Sequence, residues 1–463
     1  METAKREKRG YRMDMVSGPL AGKLLVFALP LMLSSLLQLL FNAADVVVVG
    51  RWAGPEALAA VGSNTALINL LVNLFVGFSV GANVVVARDL GAGREEEARK
   101  SVHTSVTLAL FSGIFLTLAG TLLARQLLVW TSSPADVIDL STLYLRIYFC
   151  GMPANMLYNF GAAILRSQGD TRRPLYFLAI AGVTNVGLNL IFVICCHMSV
   201  AGVALATIAA QYISAALVLL CLMRDSGALH LELKSLSLDK QVVKKIVRVG
   251  FPAGFQGMLF SLSNVVIQST INSFGSVVVA GSAASANIEG FVYSGMNAVY
   301  QTALPFVSQN YGAGECRRVD RVSALCIGYS TAIGLVLGGL AVVFGRQLAA
   351  VYAPGDALVI AAAEERMLYV CTLYFICGLM DTMVGILRGL GHSVVPMIVS
   401  LVGACGLRLL WVAFVFPFFG TPAALYISYP ISWAVTAAMH AGFFFVVRKH
   451  AYAKVRHETA EAR

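Results

Sequence analysis

Twelve apolar runs divide the chain, and their lengths constrain the fold more than any other feature of the sequence. A helix needs about 20 residues to cross a bilayer, and long continuous runs favour helices over strands. The chain is 58% hydrophobic and 13% charged, whereas soluble domains average about 45–50% apolar and about 25% charged residues. We therefore predict an all-α, polytopic membrane protein with twelve transmembrane helices. The approximate limits of the runs are 20–50, 56–86, 102–124, 136–164, 175–196, 200–222, 246–272, 278–308, 321–345, 358–386, 396–417 and 422–447.

Lysine and arginine are distributed unevenly between the two sides of the predicted membrane. The N-terminus, the loops after even-numbered spans and the C-terminal tail hold most of the 34 basic residues. The other loops and the adjoining ends of the spans hold only Arg51, Arg125, Arg346 and Arg366, and Arg146 and Arg408 lie inside spans. Because cytoplasmic loops carry the excess of basic residues, both termini are predicted to be cytoplasmic. The net charge of +10 is then a topology signal, and nucleic acid is not an expected partner.

Short motifs recur 222 residues apart, which predicts that the chain contains two copies of one plan. Six spans return the chain to its starting side, so the copies are expected to be parallel repeats related by an axis along the membrane normal. The predicted domains are a cytoplasmic basic N-terminus (1–17), an N-terminal six-helix lobe (18–222), a cytoplasmic linker (223–245), a C-terminal six-helix lobe (246–447) and a cytoplasmic tail (448–463). A short interfacial helix is expected at 240–248. The recurring residues include Pro30 and Pro252, Asn42 and Asn264, and Ile164-Leu165-Arg166 and Ile386-Leu387-Arg388.

The first span carries a polar face that is unusual for a lipid-exposed helix. Ser35, Gln38, Asn42 and Asp45 follow one another at spacings of three and four, which places them on one side of a helix. A carboxylate inside a bilayer costs roughly 2.5–3.5 kcal/mol on insertion scales, so this face is expected to line the protein interior or a wet cavity. Pro30 removes a backbone donor and favours a kink.

The repeat extends these expectations to the second lobe. Pro252 is expected to kink the seventh span, and Asn264 and Gln268 are candidates to line a substrate cleft together with Gln38 and Asn42. Such parallel-repeat transporters bind substrate between their halves near the midplane.

Several motifs together resemble the multidrug and toxic compound extrusion (MATE) family, and the resemblance covers residues 18–447. The bacterial branch typified by the DNA-damage-inducible F protein is the most similar. The matching features are the first-helix proline, aspartate and glycine (Pro30, Asp45, Gly50), Gly54-Pro55-Glu56-Ala57-Leu58, Leu165-Arg166-Ser167-Gln168-Gly169-Asp170-Thr171 followed by Pro174, Asn185 with Asn189, and Gln309-Asn310-Tyr311-Gly312-Ala313-Gly314.

The resemblance implies a secondary antiporter of the bacterial inner membrane, driven by sodium ions or protons, that exports amphipathic organic cations. Acids outnumber bases among the cleft candidates, which also favours cationic substrates. In the family, the equivalents of Asp45, Asn185, Asn189 and Thr207 lie together in the N-terminal lobe. Two alternatives remain at the level of sequence: Asp45 as a structural acid paired with an amide or with Arg146, and the asparagines as helix–helix hydrogen-bonding residues.

The second lobe departs from relatives that carry an ion-linked glutamate on helix seven, because the corresponding stretch reads Leu259-Phe260-Ser261. Glu289 and Asp381 are acids well inside predicted spans of this lobe, and either is a candidate substitute. The alternative is that they pair with Arg408, since an intramembrane charge needs a partner.

Two other functional classes fit the sequence less well. A lipid-linked oligosaccharide flippase would require a strongly cationic central cavity, for which only Arg146 and Arg408 qualify in the sequence. An intramembrane enzyme is disfavoured because the sequence contains no HExxH motif and no nucleophile–base pair. We expect no cofactor and no bound metal beyond a possible sodium ion, the lipid bilayer and small organic cations as partners, and function as a monomer.

Overall fold

The computed structural model describes residues 11–131 and 137–461, and every regular element within these residues is a helix. The first six membrane helices form an N-terminal lobe. Helix α1 is continued by a π-helical turn (Val49–Ala53), α4 is built of two pieces, and α5 ends in a π-helical turn (Leu190–Cys195). The six are α1 (Leu20–Val48), α2 (Pro55–Gly91), α3 (Glu95–Trp130), α4 (Ile138–Cys150 and Met152–Ser167), α5 (Arg172–Asn189) and α6 (Ser199–Met223).

The second six helices form a C-terminal lobe of the same plan. A short helix, Gly345–Tyr352, precedes α10, and π-helical turns at Leu401–Gly406 and Trp411–Val415 interrupt α11. The six are α7 (Lys240–Asn272), α8 (Ser276–Gly312), α9 (Cys316–Val343), α10 (Ala357–Cys371 and Tyr374–Gly389), α11 (Val394–Phe419) and α12 (Pro422–Tyr426 and Ser428–Glu461).

The helices divide into two groups by length and composition. In the described part of the chain, eight helices are each long and apolar enough to cross a membrane, and the two pieces of α10, bent by 47°, together make a ninth. Of the other three, α4 is divided into two short pieces, and α7 and α8 contain internal prolines and polar residues, which lower their hydropathy. These three line the interior of the molecule, as the cavities described below show, so they need less lipid-facing surface. The chain is a multi-pass membrane protein.

Irregularities of the backbone repeat between the lobes as the sequence does. The break in α4 falls at Gly151 and the break in α10 at residues 372–373. The π-helical turn that begins at Leu190 in α5 has a counterpart that begins at Trp411 in α11. Pro30 and Pro252 lie inside α1 and α7, and both helices continue through the proline.

The lobes are sealed against each other at the end of the molecule that carries the basic loops. Helices α2 and α7 approach there until glycine faces glycine: a Cβ added at Gly77 would lie 2.2 Å from the backbone nitrogen of Gly254. Phe27 of α1 packs edge-on against Phe306 of α8, with ring centroids 5.3 Å apart. The hydrogen bonds between the lobes in the described residues lie toward this same end, the deepest joining Arg166 to Gln301 at 2.7 Å. Farther along α7, after Gly257 and away from this sealed end, side chains such as Leu262 and Val265 are exposed.

The linker between the lobes differs from the sequence-based expectation in one respect. Residues 240–248 do not form a separate interfacial helix, because α7 begins at Lys240 and continues without a break into the membrane span. Asp239 caps this helix by accepting hydrogen bonds from the backbone N–H groups of Gln241 and Val242. The Val242 hydrogen bond and the ammonium group of Lys100 lower the pKa of Asp239. At the other end of the lobe, α12 extends past residue 447 to Glu461.

Candidate functional site

A cavity of about 290 Å³ lies inside the N-terminal lobe, and most of the predicted ion-site residues line it. The polar face of α1 faces this space: Gln38, Asn42 and Asp45 all border it. Asn185 of α5 and Thr207 of α6 border it from the opposite side. Phe41, Tyr148 and Tyr158 supply aromatic surface.

Asp45 is held by amide groups rather than by a cation. Asn189 donates from Nδ2 to the Asp45 carboxylate at 2.5 Å and to Oδ1 of Asn185 at 3.2 Å. Asn185 in turn donates to the Thr207 hydroxyl at 3.3 Å. Asn189 is fully buried, and its Oδ1 has no hydrogen-bond partner among the described residues. The structure therefore brings the four predicted ion-site residues together in one hydrogen-bonded cluster.

Arg146 does not neutralise this cluster. The residue is exposed, and the ion pairs of the described residues do not include one between Arg146 and Asp45. Of the two sequence-based alternatives for a structural Asp45, the structure shows the amide partner and not the arginine. Buried polar groups rarely remain without a hydrogen bond, so the orphaned Oδ1 of Asn189 beside a carboxylate marks a place where a further ligand would fit.

A larger cavity of about 540 Å³ lies inside the C-terminal lobe, and all four of its predicted residues line it. They are Asn264, Gln268, Glu289 and Asp381. Gln38 and Asn42, by contrast, line the N-terminal cavity, so the four substrate-cleft candidates divide between two cavities. A third cavity of about 260 Å³ lies between the lobes and is bordered by Gln38 and Arg166 on one side and by Asn297 and Gln301 on the other.

Glu289 pairs with Arg366, not with Arg408. Arg366 donates from Nε and Nη2 to the two carboxylate oxygens at 2.8 and 3.0 Å, and both side chains are more than nine-tenths buried. Ser285 donates a further hydrogen bond to the carboxylate at 2.8 Å. The sequence groups Arg366 with the loop residues beside the tenth span, where it follows Glu364 and Glu365. In the helix, Glu365 is exposed while Arg366 turns inward.

Asp381 begins a chain of hydrogen bonds along α8 that reaches the other lobe. The hydroxyl of Tyr293 donates to Asp381 at 3.0 Å, and the Asn297 amide lies 3.4 Å from the same hydroxyl. Gln301 donates to Asn297 at 2.7 Å, and Arg166 of the N-terminal lobe donates to Gln301 at 2.7 Å. The polar positions of α8 are spaced by four residues, so one helical face carries the connection.

Arginines contribute more to the C-terminal cavity than the sequence indicated. Arg366, Arg388 and Arg408 all line it, so the expectation that acids outnumber bases holds for the N-terminal cavity and is wrong for this one. The repeat contained a signal for Arg388, since it stands 222 residues after Arg166, which lines the cavity between the lobes. No periodic signal pointed to Arg366. Within the described residues, no group of three or more His, Cys, Asp or Glu side chains could hold a metal ion.

Comparison with known proteins assigns the class of this fold. Two membrane-embedded bundles that enclose separate polar cavities are the architecture of a secondary transporter. The sequence model of the MatE family matches residues 30–191 and 252–414, which is more than half of the chain. The chain belongs to the MatE family of transporters and is not an enzyme. The two matches begin at Pro30 and Pro252, the same residues that opened the internal repeat.

Individual relatives agree with this assignment. The probable multidrug resistance protein YoeA of Bacillus subtilis is 27% identical over 92% of this chain and 93% of its own. A solved structure described as an outward-facing multidrug resistance MATE transporter of the MOP superfamily is similar at a TM-score of 0.87, with 20% identity over 96% of this chain and 98% of that one. A MOP superfamily transporter from Pyrococcus furiosus, whose description reports reverse polarity of its binding pocket, gives a TM-score of 0.88 at 19% identity over 98% of this chain and 100% of that one. These likenesses establish an all-α transporter fold of two parallel six-helix repeats.

Proposed function

We propose that the chain is a cation-coupled antiporter that exports amphipathic, cationic organic compounds across the bacterial inner membrane by alternating access. Sodium ions or protons enter the N-terminal cavity, load Asp45 and drive release of the substrate. The observation that carries the proposal is the position of Asp45, the one acidic side chain among the residues that border that cavity.

The walls of the N-terminal cavity suit an amphipathic cation. The aromatic rings of Phe41, Tyr148 and Tyr158 present apolar surface and electron-rich faces, and a cation over an aromatic face gains about 0.5–2 kcal/mol. Gln38 and Asn42 add hydrogen-bonding groups at the edge of the space. The carboxylate of Asp45 then provides the opposite charge for the ligand.

The amide cluster offers a way to couple the ion to the substrate. With Nδ2 of Asn189 directed at Asp45, the carboxylate is satisfied without an ion. Rotation of that amide by half a turn directs an oxygen at the carboxylate, and amide, hydroxyl and carboxylate oxygens are ligands that hard cations prefer. Protonation of Asp45 also removes its charge. In either case the loaded site no longer attracts an organic cation, and by linkage each ligand weakens the other equally.

The distribution of basic residues supports the orientation in this proposal. The basic loops lie at the sealed end of the molecule, and the positive-inside rule places that end in the cytoplasm with both termini. The structure is then the state whose cavities are reached from outside. Each cavity is built from the helices of a single chain, so we expect a monomer to be functional.

The test is efflux of ethidium from proteoliposomes that contain the purified protein, first under a sodium gradient alone and then under a pH gradient alone. One gradient is expected to drive efflux in the wild type. Asp45→Asn, which keeps the shape and hydrogen bonding of the side chain, should abolish the gradient-driven part, and Asp45→Glu should retain partial activity. Asp139→Asn is the matched control, because Asp139 is exposed and paired with the exposed Arg125. Wild-type rates in Asp45→Asn at equal protein level would refute the proposal.

The flippase alternative receives less support. Three arginines line the C-terminal cavity, yet Glu289 neutralises Arg366 there, and the N-terminal cavity holds Asp45 and no arginine among its described residues. A pyrophosphate-linked lipid would meet a carboxylate in one lobe and a mixture of charges in the other. The observed polarity of the N-terminal cavity favours organic cations.

A further inference from the structure

The C-terminal cavity carries an excess of positive charge that the proposed function does not use. Three arginines and two acids border it: Arg366, Arg388, Arg408, Glu289 and Asp381. Glu289 and Arg366 form a closed bidentate pair. Two guanidinium groups therefore remain against the single carboxylate of Asp381, which leaves one positive charge uncompensated by the described residues of the cavity.

Arg408 is buried without an acidic partner. It is 4% exposed, its Nε donates to the hydroxyl of Ser432 at 2.8 Å, and none of the ion pairs formed by the described residues includes it. Its guanidinium carbon lies 4.4 Å from the centroid of the Tyr429 ring and 5.6 Å from that of Trp433. Stacking on aromatic rings fixes the plane of a guanidinium group and leaves its edge available to a ligand.

Arg388 is buried in a similar way. It is 6% exposed and donates to the hydroxyl of Tyr300 at 2.6 Å and to the side-chain oxygen of Gln256 at 2.8 Å. Its Nε has no hydrogen-bond partner among the described residues. An intramembrane charge is costly unless it is paired, and neutral hydrogen-bond acceptors compensate a guanidinium only in part. Both arginines border the same open space.

We propose that this cavity is a binding site for an aromatic organic anion, with a carboxylate held by Arg408 and Arg388 and a ring packed on the aromatic wall. Arginine binds carboxylates through paired, charge-assisted hydrogen bonds. Tyr374, Tyr429 and Trp433 form the wall, with ring centroids 5.3 Å apart for Tyr374 and Trp433 and 5.8 Å apart for Tyr429 and Trp433. The volume of about 540 Å³ falls within the range of about 300–1,000 Å³ typical of small-molecule sites.

The carboxylate of Asp381 competes with the ligand for the positive charge of the two arginines. It borders the same cavity and makes its one described hydrogen bond with Tyr293. A bound anion and the Asp381 carboxylate would share the positive field of the two arginines, and like charges repel at this range in a medium of low dielectric constant. Removal of the Asp381 charge therefore strengthens binding of the anion, an effect opposite to that expected of a structural acid.

The site lies in a different lobe from the Asp45 cluster, so it goes beyond the proposed function and can fail separately. The probe is 2-naphthoate, measured by titration calorimetry on the purified full chain in nanodiscs of phosphatidylcholine. The neutral 2-naphthalenemethanol and the cationic 2-naphthylmethylammonium, which share its ring, are the comparison ligands. We expect 2-naphthoate to bind at least about tenfold tighter than either. Equal or weaker binding of the anion would overturn the proposal.

Variants then assign the binding to the two arginines. Arg408→Gln and Arg388→Gln should each weaken 2-naphthoate binding at least about tenfold, since each removes a charge-assisted hydrogen-bond donor to the carboxylate. Asp381→Asn should tighten it several-fold. Arg146→Gln removes an exposed arginine from a span of the other lobe and should change nothing, and Asp45→Asn should retain 2-naphthoate binding while it loses ethidium efflux.

Two further variants test the proposal if a glutamine variant does not fold. Arg408→Lys keeps the positive charge but not the planar pair of donors, so it should weaken binding to an intermediate degree. Asp381→Asn tests the charge balance without a change to either arginine. Wild-type affinity in both variants would show that the arginines are structural and would overturn the proposal.

Discussion

At the scale of single residues, the interior of the C-terminal lobe is held by charges that are paired inside the membrane span. The Glu289–Arg366 pair is bidentate and more than nine-tenths buried, and Arg366 also lies within 6 Å of the rings of Tyr426 and Tyr429. Desolvation offsets most of the attraction in such a pair. The loss of one partner is therefore more harmful than the loss of both, because it leaves an uncompensated charge.

We expect Glu289→Gln to destabilise the protein by about 3–5 kcal/mol, the usual effect of breaking a buried pair. The double variant Glu289→Gln/Arg366→Gln should recover part of that loss. Thermal or denaturant unfolding in detergent, followed by the fluorescence of the tryptophans, gives the comparison. Glu365→Gln is the control, since Glu365 lies beside Arg366 on the exposed side of the helix. If the double variant is no more stable than Glu289→Gln, the two residues are not energetically coupled.

The sequence identified a site residue where a charge fell inside an apolar run or where the residue recurred in the internal repeat. Asp45 was identifiable because a carboxylate inside a long apolar run is costly in a bilayer. The spacing of Gln38, Asn42 and Asp45 placed all three on one face of the helix. The burial of Arg366 was not predictable, because its neighbours Glu364 and Glu365 suggest a solvent-exposed segment. Only the orientation of the helix shows that Arg366 faces the interior. The partner of Glu289 was likewise unpredictable, since it stands 77 positions away along the chain.

At the scale of elements, the contact between α2 and α7 is a backbone-to-backbone approach of the two lobes. Cβ atoms added at Gly77 and Gly81 would lie 2.2 Å from backbone atoms of α7, and one added at Gly254 would lie 2.1 Å from the carbonyl oxygen of Leu74. Real Cβ atoms do not approach backbone so closely, so only glycine permits this separation. At these glycines the backbones of the two helices meet directly, and this seam helps to close one end of the molecule.

We expect Gly254→Ala to force α2 and α7 apart and to destabilise the sealed arrangement by about 1–3 kcal/mol, the usual cost of overpacking. Gly257→Ala is the matched control one turn along the same helix, because its added Cβ would meet only the Asn73 side chain at 3.7 Å. Proteolysis at the basic loops should be faster in Gly254→Ala than in Gly257→Ala. Equal rates in the two variants would contradict a seam that depends on glycine.

Elements were predictable in number and order but not in their irregularities. The twelve apolar runs and their limits follow from hydropathy, and twelve membrane helices occupy the described residues. The breaks at Gly151 in α4 and at residues 372–373 in α10 have no such signal, because a break inside the protein needs neither polar sequence nor a loop. The helix expected at 240–248 was not recognised as the beginning of α7, because basic residues lower the hydropathy of a helix where it extends beyond the lipid.

At the scale of the whole molecule, the 222-residue repeat predicted two parallel lobes, but not how the lobes contact one another. Three consecutive residues of α8 make contacts beyond their own lobe. Ser308 donates to the carbonyl oxygen of Val84 at 2.7 Å, and Gln309 donates to that of Ser167 at 2.6 Å. Asn310 donates to the carbonyl oxygen of Met15 in the N-terminal segment at 3.1 Å. The proposed alternating access would require the contacts of Ser308 and Gln309 to break, because they join the lobes at the sealed end.

We expect Ser308→Ala to shift the population toward the state that is open at this end. The substitution removes the Ser308–Val84 hydrogen bond from the sealed state, a loss of about 0.5–1.5 kcal/mol because the Val84 carbonyl keeps its partner within α2, and about 1.4 kcal/mol changes the ratio of the two states tenfold. Distances between spin labels on Arg94→Cys and Arg317→Cys, at exposed positions of opposite lobes, report the separation. The exposed Cys150, Cys195 and Cys196 are first replaced by serine.

Ser294→Ala is the control, since Ser294 donates a hydrogen bond within α8 to the carbonyl of Gly290 at 2.9 Å. The longer distance should gain population in Ser308→Ala alone, and an unchanged distribution there would mean that the hydroxyl does not help to hold the sealed state.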